Sequence, residues 1–76
     1  MKTLVHSIVE ALVDYSDQIS INERRGRSTT IIELSVAKED IGKVIGRDGR
    51  TINAIRTVLN AASASQQRRV LLEVND

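Results

Sequence analysis

The sequence predicts a two-layer α/β fold in the order α-β-β-α-α-β, with three helices on one face of a mixed three-stranded sheet. Hydrophobic spacing is the first observation behind this expectation. Apolar residues recur at i, i+3, i+4 near the amino end and again across 41–59, and alternate at period two across 19–36 and 70–74. A second observation is the glycine-containing turn Arg24-Arg25-Gly26-Arg27-Ser28, which joins two alternating runs into a β-hairpin. The element order is the third. The two helices that precede the last strand supply the crossover that lets it lie parallel to the second strand.

The first helix is expected from about Thr3 to Tyr15 or Ser16, with Leu4, Val5, Ile8, Val9, Leu12 and Val13 as its apolar stripe. Ile19 and Ile21 then alternate with polar residues as a short half-buried strand. In the second strand Thr30, Ile32, Leu34 and Val36 share one face, and Thr29, Ile31, Glu33 and Ser35 the other. Lys38-Glu39-Asp40 opens the second helix, with acids in the first turn where the dipole favours them. Its core side is Ile41, Val44 and Ile45, and Gly46 ends it. The third helix starts near Asp48, read as its cap, and runs to about Ser63 with Ile52, Ile55, Leu59 and further on Ala62 buried. A short polar link leads to the closing strand, where Val70, Leu72 and Val74 alternate with Leu71 and Glu73. There is no proline, so every strand can donate all its ladder bonds.

At 76 residues a single small domain is expected. A domain near this size hides only about 60% of the surface its unfolded chain exposes, so its core is marginal. The absence of cysteine removes disulfides and thiolate metal sites, which leaves self-association as a remedy. His6 has no second ligand in evidence and reads as a half-buried helix residue. With one histidine, no cysteine and no convergent carboxylate pair, neither an enzyme nor a metal or cofactor site is expected. His6, Glu10 and Asp14 interrupt the amino-terminal run, which therefore reads neither as a secretory signal nor as a membrane span. A cytoplasmic location is the expectation.

The formal net charge of +1 says little, but its distribution is informative. Arg24, Arg25 and Arg27 form one basic segment, a candidate secondary basic loop, and Lys43, Arg47, Arg50 and Arg56 form another. Local patches create the field that a polyanion meets. Arg68 and Arg69 read as ordinary solvated charge.

The second patch surrounds Gly46-Arg47-Asp48-Gly49, a glycine-bracketed turn between two helical runs. The glycines let the chain reverse tightly and let another molecule approach the backbone. The helix opened by Thr51 aims its first N–H groups and positive dipole end into that turn, a ready anion site. Arg47 and Arg50 add full charges on either side, and Lys43 points away from the core stripe, toward where a neighbouring phosphate would lie. The pattern is that of a clamp on a phosphodiester backbone. The nucleoside-triphosphate loop is excluded, because no Gly-Lys-Ser/Thr ending follows.

The stretch Val44-Ile45-Gly46-Arg47-Asp48-Gly49-Arg50-Thr51-Ile52, with Gly42 before it, resembles the GXXG segment of KH domains. That loop grips about four backbone nucleotides. Helix-first order resembles the type II, prokaryotic KH arrangement, and nearly the whole chain is similar to the small single-KH proteins of the bacterial KhpA family. The resemblance implies single-stranded RNA binding by Gly46, Arg47, Asp48, Gly49, Arg50 and Lys43, over an apolar floor that includes Val44, Ile45 and Ile52. It also implies a cytoplasmic RNA chaperone or post-transcriptional regulator, homodimers, a heteromer with a larger KhpB/Jag-type KH protein, and links to cell elongation and division. Tyr15 is the single aromatic residue, so base stacking of the RRM or cold-shock kind is not expected. The outer side of the third helix, with Ala54, Thr57, Val58 and Ala61, is small and uncharged and is the expected dimer face. A KH-fold adaptor that makes protein contacts alone is the competing reading.

Overall fold

A computed structural model describes residues 1–75. Its elements follow the expected order: α1 (Lys2–Glu10), β1 (Ser20–Arg25), β2 (Thr29–Ser35), α2 (Ile41–Ile45), α3 (Arg50–Ser63) and β3 (Arg69–Val74). The strand order is β1-β2-β3. Antiparallel β1 and β2 pair from Ser20↔Ser35 to Arg25↔Thr30, and β3 lies parallel to β2 from Thr29↔Arg69 to Leu34↔Val74. This is the α+β order of a type II KH-like fold, with its three helices on a mixed three-stranded sheet.

Period-two alternation sets the sheet's two faces. Thr30, Ile32 and Leu34 of β2 and Val70 and Leu72 of β3 are buried, while the residues between them are at least partly open. Against that buried face pack Val5 and Val9 of α1, Val44 of α2, and Ile52, Ile55 and Leu59 of α3. The fourth buried position of α3 is Ser63 rather than Ala62, which is exposed. One helical turn beyond Leu59, Ser63 can be buried because its hydroxyl lies 3.1 Å from the Leu59 carbonyl and 3.2 Å from that of Arg68.

Lys38–Asp40 forms a 3-10 turn ahead of α2 rather than its first turn, and two further boundaries differ from expectation. Helix α1 stops at Glu10, well short of Tyr15. Leu12 and Val13 still turn back onto the Val9 carbonyl, but the Asp14 and Tyr15 N–H groups donate to the Asp40 carboxylate at 3.1 and 3.0 Å. A side chain more than two dozen residues away takes the donors that a longer helix would have used. Arg24 and Arg25 belong to β1, not to the turn, which is confined to Gly26-Arg27-Ser28 and closed by the Gly26 N–H on the Thr29 carbonyl at 2.8 Å. His6 is exposed, not half-buried.

Candidate nucleic-acid interface

The glycine turn is a corner between α2 and α3. Gly46 caps α2 with φ 78° and ψ 171°, and Gly49 precedes α3 with φ 76° and ψ 13°. Both values lie where an L side chain is strained. Gly46 is also sterically required. A Cβ there would lie 2.6 Å from Thr51 Cβ and 2.7 Å from the Thr51 backbone nitrogen. The close approach folds the turn back onto the first residues of α3. A Cβ on Gly42 would meet nothing within 4 Å, so the outer surface of α2 is bare beside the turn.

Asp48 does not cap α3. It sits exposed in the left-handed region at φ 56°, and Gly49 holds the cap position with no side-chain hydrogen bond to the helix end. The amino end of α3 carries no carboxylate; the Arg50 N–H donates to the Arg47 carbonyl, and Arg47 and Arg50 stand exposed on either side. A glycine corner at the start of a 14-residue helix is a candidate anion site.

Other expected site residues are placed differently. Lys43 is not free to reach a phosphate: its ammonium pairs with Asp14 and, at 3.3 Å, with Asp40. Val44 is fully buried and Ile52 is 4% exposed, so both are core beneath the turn rather than groove floor. Ile41 and Ile45 are half-buried and remain available to line it. Arg56 does not stand with the patch as a free charge. Its guanidinium donates to the Leu72 carbonyl at 3.0 and 3.3 Å and to Asn53 Oδ1 at 3.2 Å. Asn60 mimics a neighbouring strand, accepting the Val70 N–H and donating to the Val70 carbonyl, both at 3.1 Å. Asn53 and Asn60 thus turn toward Arg56 and β3. Together they cover the open edge of β3, which would otherwise present unpaired backbone groups. A cleft of about 330 Å3 runs there, lined by Arg56, Asn60, Arg69 and the β3 backbone.

Asp40 is the residue whose position-specific role the sequence hid. It is fully buried, and its oxygens accept from the Asp14 and Tyr15 N–H groups and from Lys43. Burial works against its charged form, but the Tyr15 and Asp14 N–H groups and Lys43 outweigh this and hold its carboxyl below the usual range. The hydrogen bond to Asp14, opposed by partial burial and joined by Asp40, pushes the Lys43 ammonium up. The segment after α1 is thereby tied to α2, which ends in the glycine turn. An acid in the first turn of a helix looks like dipole chemistry in sequence, and only the fold brings the Asp14 and Tyr15 amides to it.

On the other side of α3, Ala54, Thr57, Val58 and Ala61 are all exposed. Ala54 and Val58 line an apolar cleft of about 380 Å3 with Leu4, Ile8 and Leu12. No group of three or more metal-ligating side chains converges among the described residues, and no described helix is long and apolar enough to cross a membrane.

Comparison with known proteins places this geometry among relatives. The sequence model of the family described as "KhpA/KhpB, KH domain" matches residues 2–74. Proteins called RNA-binding protein KhpA are similar along nearly their whole length. That of Halalkalibacterium halodurans is 49% identical over 76 residues, covering all of both chains. That of Caldanaerobacter subterraneus subsp. tengcongensis is 49% identical over 74 residues, 97% of this chain and 99% of that one. The Chlamydia pneumoniae protein is also 49% identical over 74 residues, 97% of this chain and 95% of its own. No solved structure matches.

Proposed function

The chain belongs to the KhpA/KhpB KH-domain family, and from that membership we propose that it binds single-stranded RNA by gripping the phosphodiester backbone at Gly46–Gly49. The observation that carries this reading is the uncapped amino end of α3 behind two left-handed glycines, flanked by exposed Arg47 and Arg50. Phosphates bind over the turn through backbone N–H groups and the two arginines. Bases lie toward Ile41 and Ile45, past the bare surface at Gly42. The relatives' printed name, RNA-binding protein, supports the same ligand. Binding is weak and tolerant of sequence, because the chain has a single aromatic residue, Tyr15, and each stacked base elsewhere contributes about 1–3 kcal/mol. Such binding suits a cytoplasmic RNA chaperone or post-transcriptional regulator, the role from which links to cell elongation and division would follow.

Arg47→Asp, which places two acids in the turn, tests it. Wild-type affinity for short single-stranded RNA should fall with salt by roughly 0.7 log units per log unit of salt for each phosphate neutralised. The variant should bind no RNA while keeping its circular dichroism spectrum and melting temperature. A variant that binds like wild type removes the clamp.

A second reading is favoured by the apolar cleft between α1 and α3. Val58 is 48% exposed there, with Ala54 and Ala61 leaving room for a second helix. A homodimer, or a heteromer with a KhpB/Jag-type protein, would cover this face. The cleft reaches Thr51, which packs against Gly46, so a partner seated there would adjoin the glycine turn.

A further inference from the structure

The fold gathers five arginines at the end of the molecule far from the glycine turn. Arg24 and Arg25 close β1, Arg27 is in the hairpin turn, Arg68 precedes β3 and Arg69 begins it. Arg68 is the organiser. Its guanidinium donates to the carbonyls of Gly26 at 2.8 Å, Arg27 at 3.1 Å and Thr29 at 3.3 Å, and to Thr30 Oγ1 at 3.2 Å. The Arg69 N–H adds a bond to the Ser28 carbonyl at 2.9 Å. A hairpin turn that would otherwise be loose is fixed against the start of β3, with Arg25, Arg27 and Arg69 exposed around it.

This cluster is weakly neutralised. Arg24 has Glu33 at 3.5 Å and Arg25 has Glu23 at 3.9 Å, both with largely exposed arginines. Among the described residues no carboxylate pairs with Arg27, Arg68 or Arg69. Beside it lies a polar cleft of about 170 Å3 lined by Arg25, Thr30, Gln66 and Arg68, with Glu23, the partner of Arg25, as its one carboxylate among the described residues. A rigid, positive, polar-lined surface fits a polyanion and no apolar partner.

Its position relative to the turn selects the polyanion. Helix α3 separates the two, and its 14 residues span about 21 Å at 1.5 Å per residue. The cleft lined by Arg56, Asn60 and the β3 edge runs from Glu73 to Arg69 alongside α3, and so leads to the hairpin end. We propose that the hairpin end, through Arg25, Arg27 and Arg69, is a second phosphate-binding station for the same RNA strand, so that the footprint extends beyond the nucleotides held at the glycine turn. The inference rests on the RNA reading above and adds length dependence to it.

Two RNAs separate the claims: a tetranucleotide, which the turn alone can hold, and an oligonucleotide of roughly 12 nucleotides, within the range of single-strand sites. Arg25→Gln/Arg27→Gln/Arg69→Gln removes the station and leaves Arg68 to hold the turn. Nine registers of a four-nucleotide site alone give roughly ninefold, so for wild type the longer RNA should gain about tenfold or more beyond that factor over the tetranucleotide. The triple variant should lose that gain, keep its tetranucleotide affinity, and show a salt slope for the longer RNA shallower by about 2, at roughly 0.7 per phosphate. Arg27→Gln alone, at an exposed turn position, should lower the slope by about 0.7 with the fold untouched. A wild type that gains nothing from length beyond that factor, or variants with undiminished affinity for the longer RNA, would overturn the second station alone. A wild type that binds neither RNA would overturn the RNA reading and this inference with it.

Discussion

Three glycines border or form the turn, and alanine at each should have a different effect. Gly46 has φ 78° and ψ 171°, a region essentially reserved for glycine, where another residue costs about 1–3 kcal/mol. Its new methyl group would also overlap Thr51, whose backbone nitrogen is 2.7 Å away and fixed by the start of α3. Overpacking of that kind adds about 1–3 kcal/mol. Gly46→Ala should therefore lose about 2–6 kcal/mol. A chain of 76 residues has roughly 4–11 kcal/mol in all, so this variant stands near the edge of unfolding. Gly49 is left-handed too, but its Cβ would meet only Asn53 Nδ2 at 3.7 Å and Ile52 Cγ2 at 3.9 Å. Only the backbone term remains, about 1–2 kcal/mol. Gly42 is helical with open space around it, and Gly42→Ala should gain about 0.5–1 kcal/mol. Urea unfolding followed by far-ultraviolet circular dichroism measures all three, since the chain has no tryptophan. The reasoning is refuted if Gly46→Ala lies within about 1 kcal/mol of wild type or if Gly49→Ala costs more than Gly46→Ala.

Other consequences concern the buried carboxylate and the outer side of α3. The Asp40 carboxyl is held below its unfolded range, so its contribution is present above about pH 4 and is lost as pH falls through the folded value. Denaturation series at pH 7 and at successively lower pH should show that loss in wild type and a smaller one in Asp40→Asn, which is less stable at pH 7; identical pH dependence in the two proteins would contradict the role given to Asp40. Lys43 acts with the opposite sign, its contribution being present below about pH 10 and lost as pH rises through the raised value. Ala61→Asp should lower the mass seen in sedimentation while sparing the fold, and an unchanged mass would move the dimer contact elsewhere.

Much of this fold could be read from residue spacing, because its cores are period-two and helical stripes with few exceptions. Ile32, Leu34, Val70 and Leu72 are buried where alternation puts them, and Ile52, Ile55 and Leu59 where helical spacing puts them. What spacing could not reveal are partnerships between distant polar groups. Leu12 and Val13 extend the α1 stripe in sequence, yet Asp40 draws the next two amides away from the helix. Lys43 has the spacing of a free surface cation, and only the fold sets Asp14 against it. Arg68 looks like solvated charge, but its donors meet carbonyls some forty residues away. Asp48 has the identity of a helix cap and the wrong backbone for one, because the tight turn forces it left-handed. The turn itself was legible because glycines at Gly46 and Gly49 are local conformational requirements, and local requirements are what a sequence displays.

The central claim is that Gly46–Gly49 holds an RNA backbone, and the most direct test is a nuclear magnetic resonance titration of the labelled protein with short single-stranded RNA pools. The account predicts amide shifts centred on residues 43–52 that vanish in Arg47→Asp. Shifts confined to the outer side of α3, or none at all in wild type, would contradict it and favour an adaptor that uses the same fold for protein contacts.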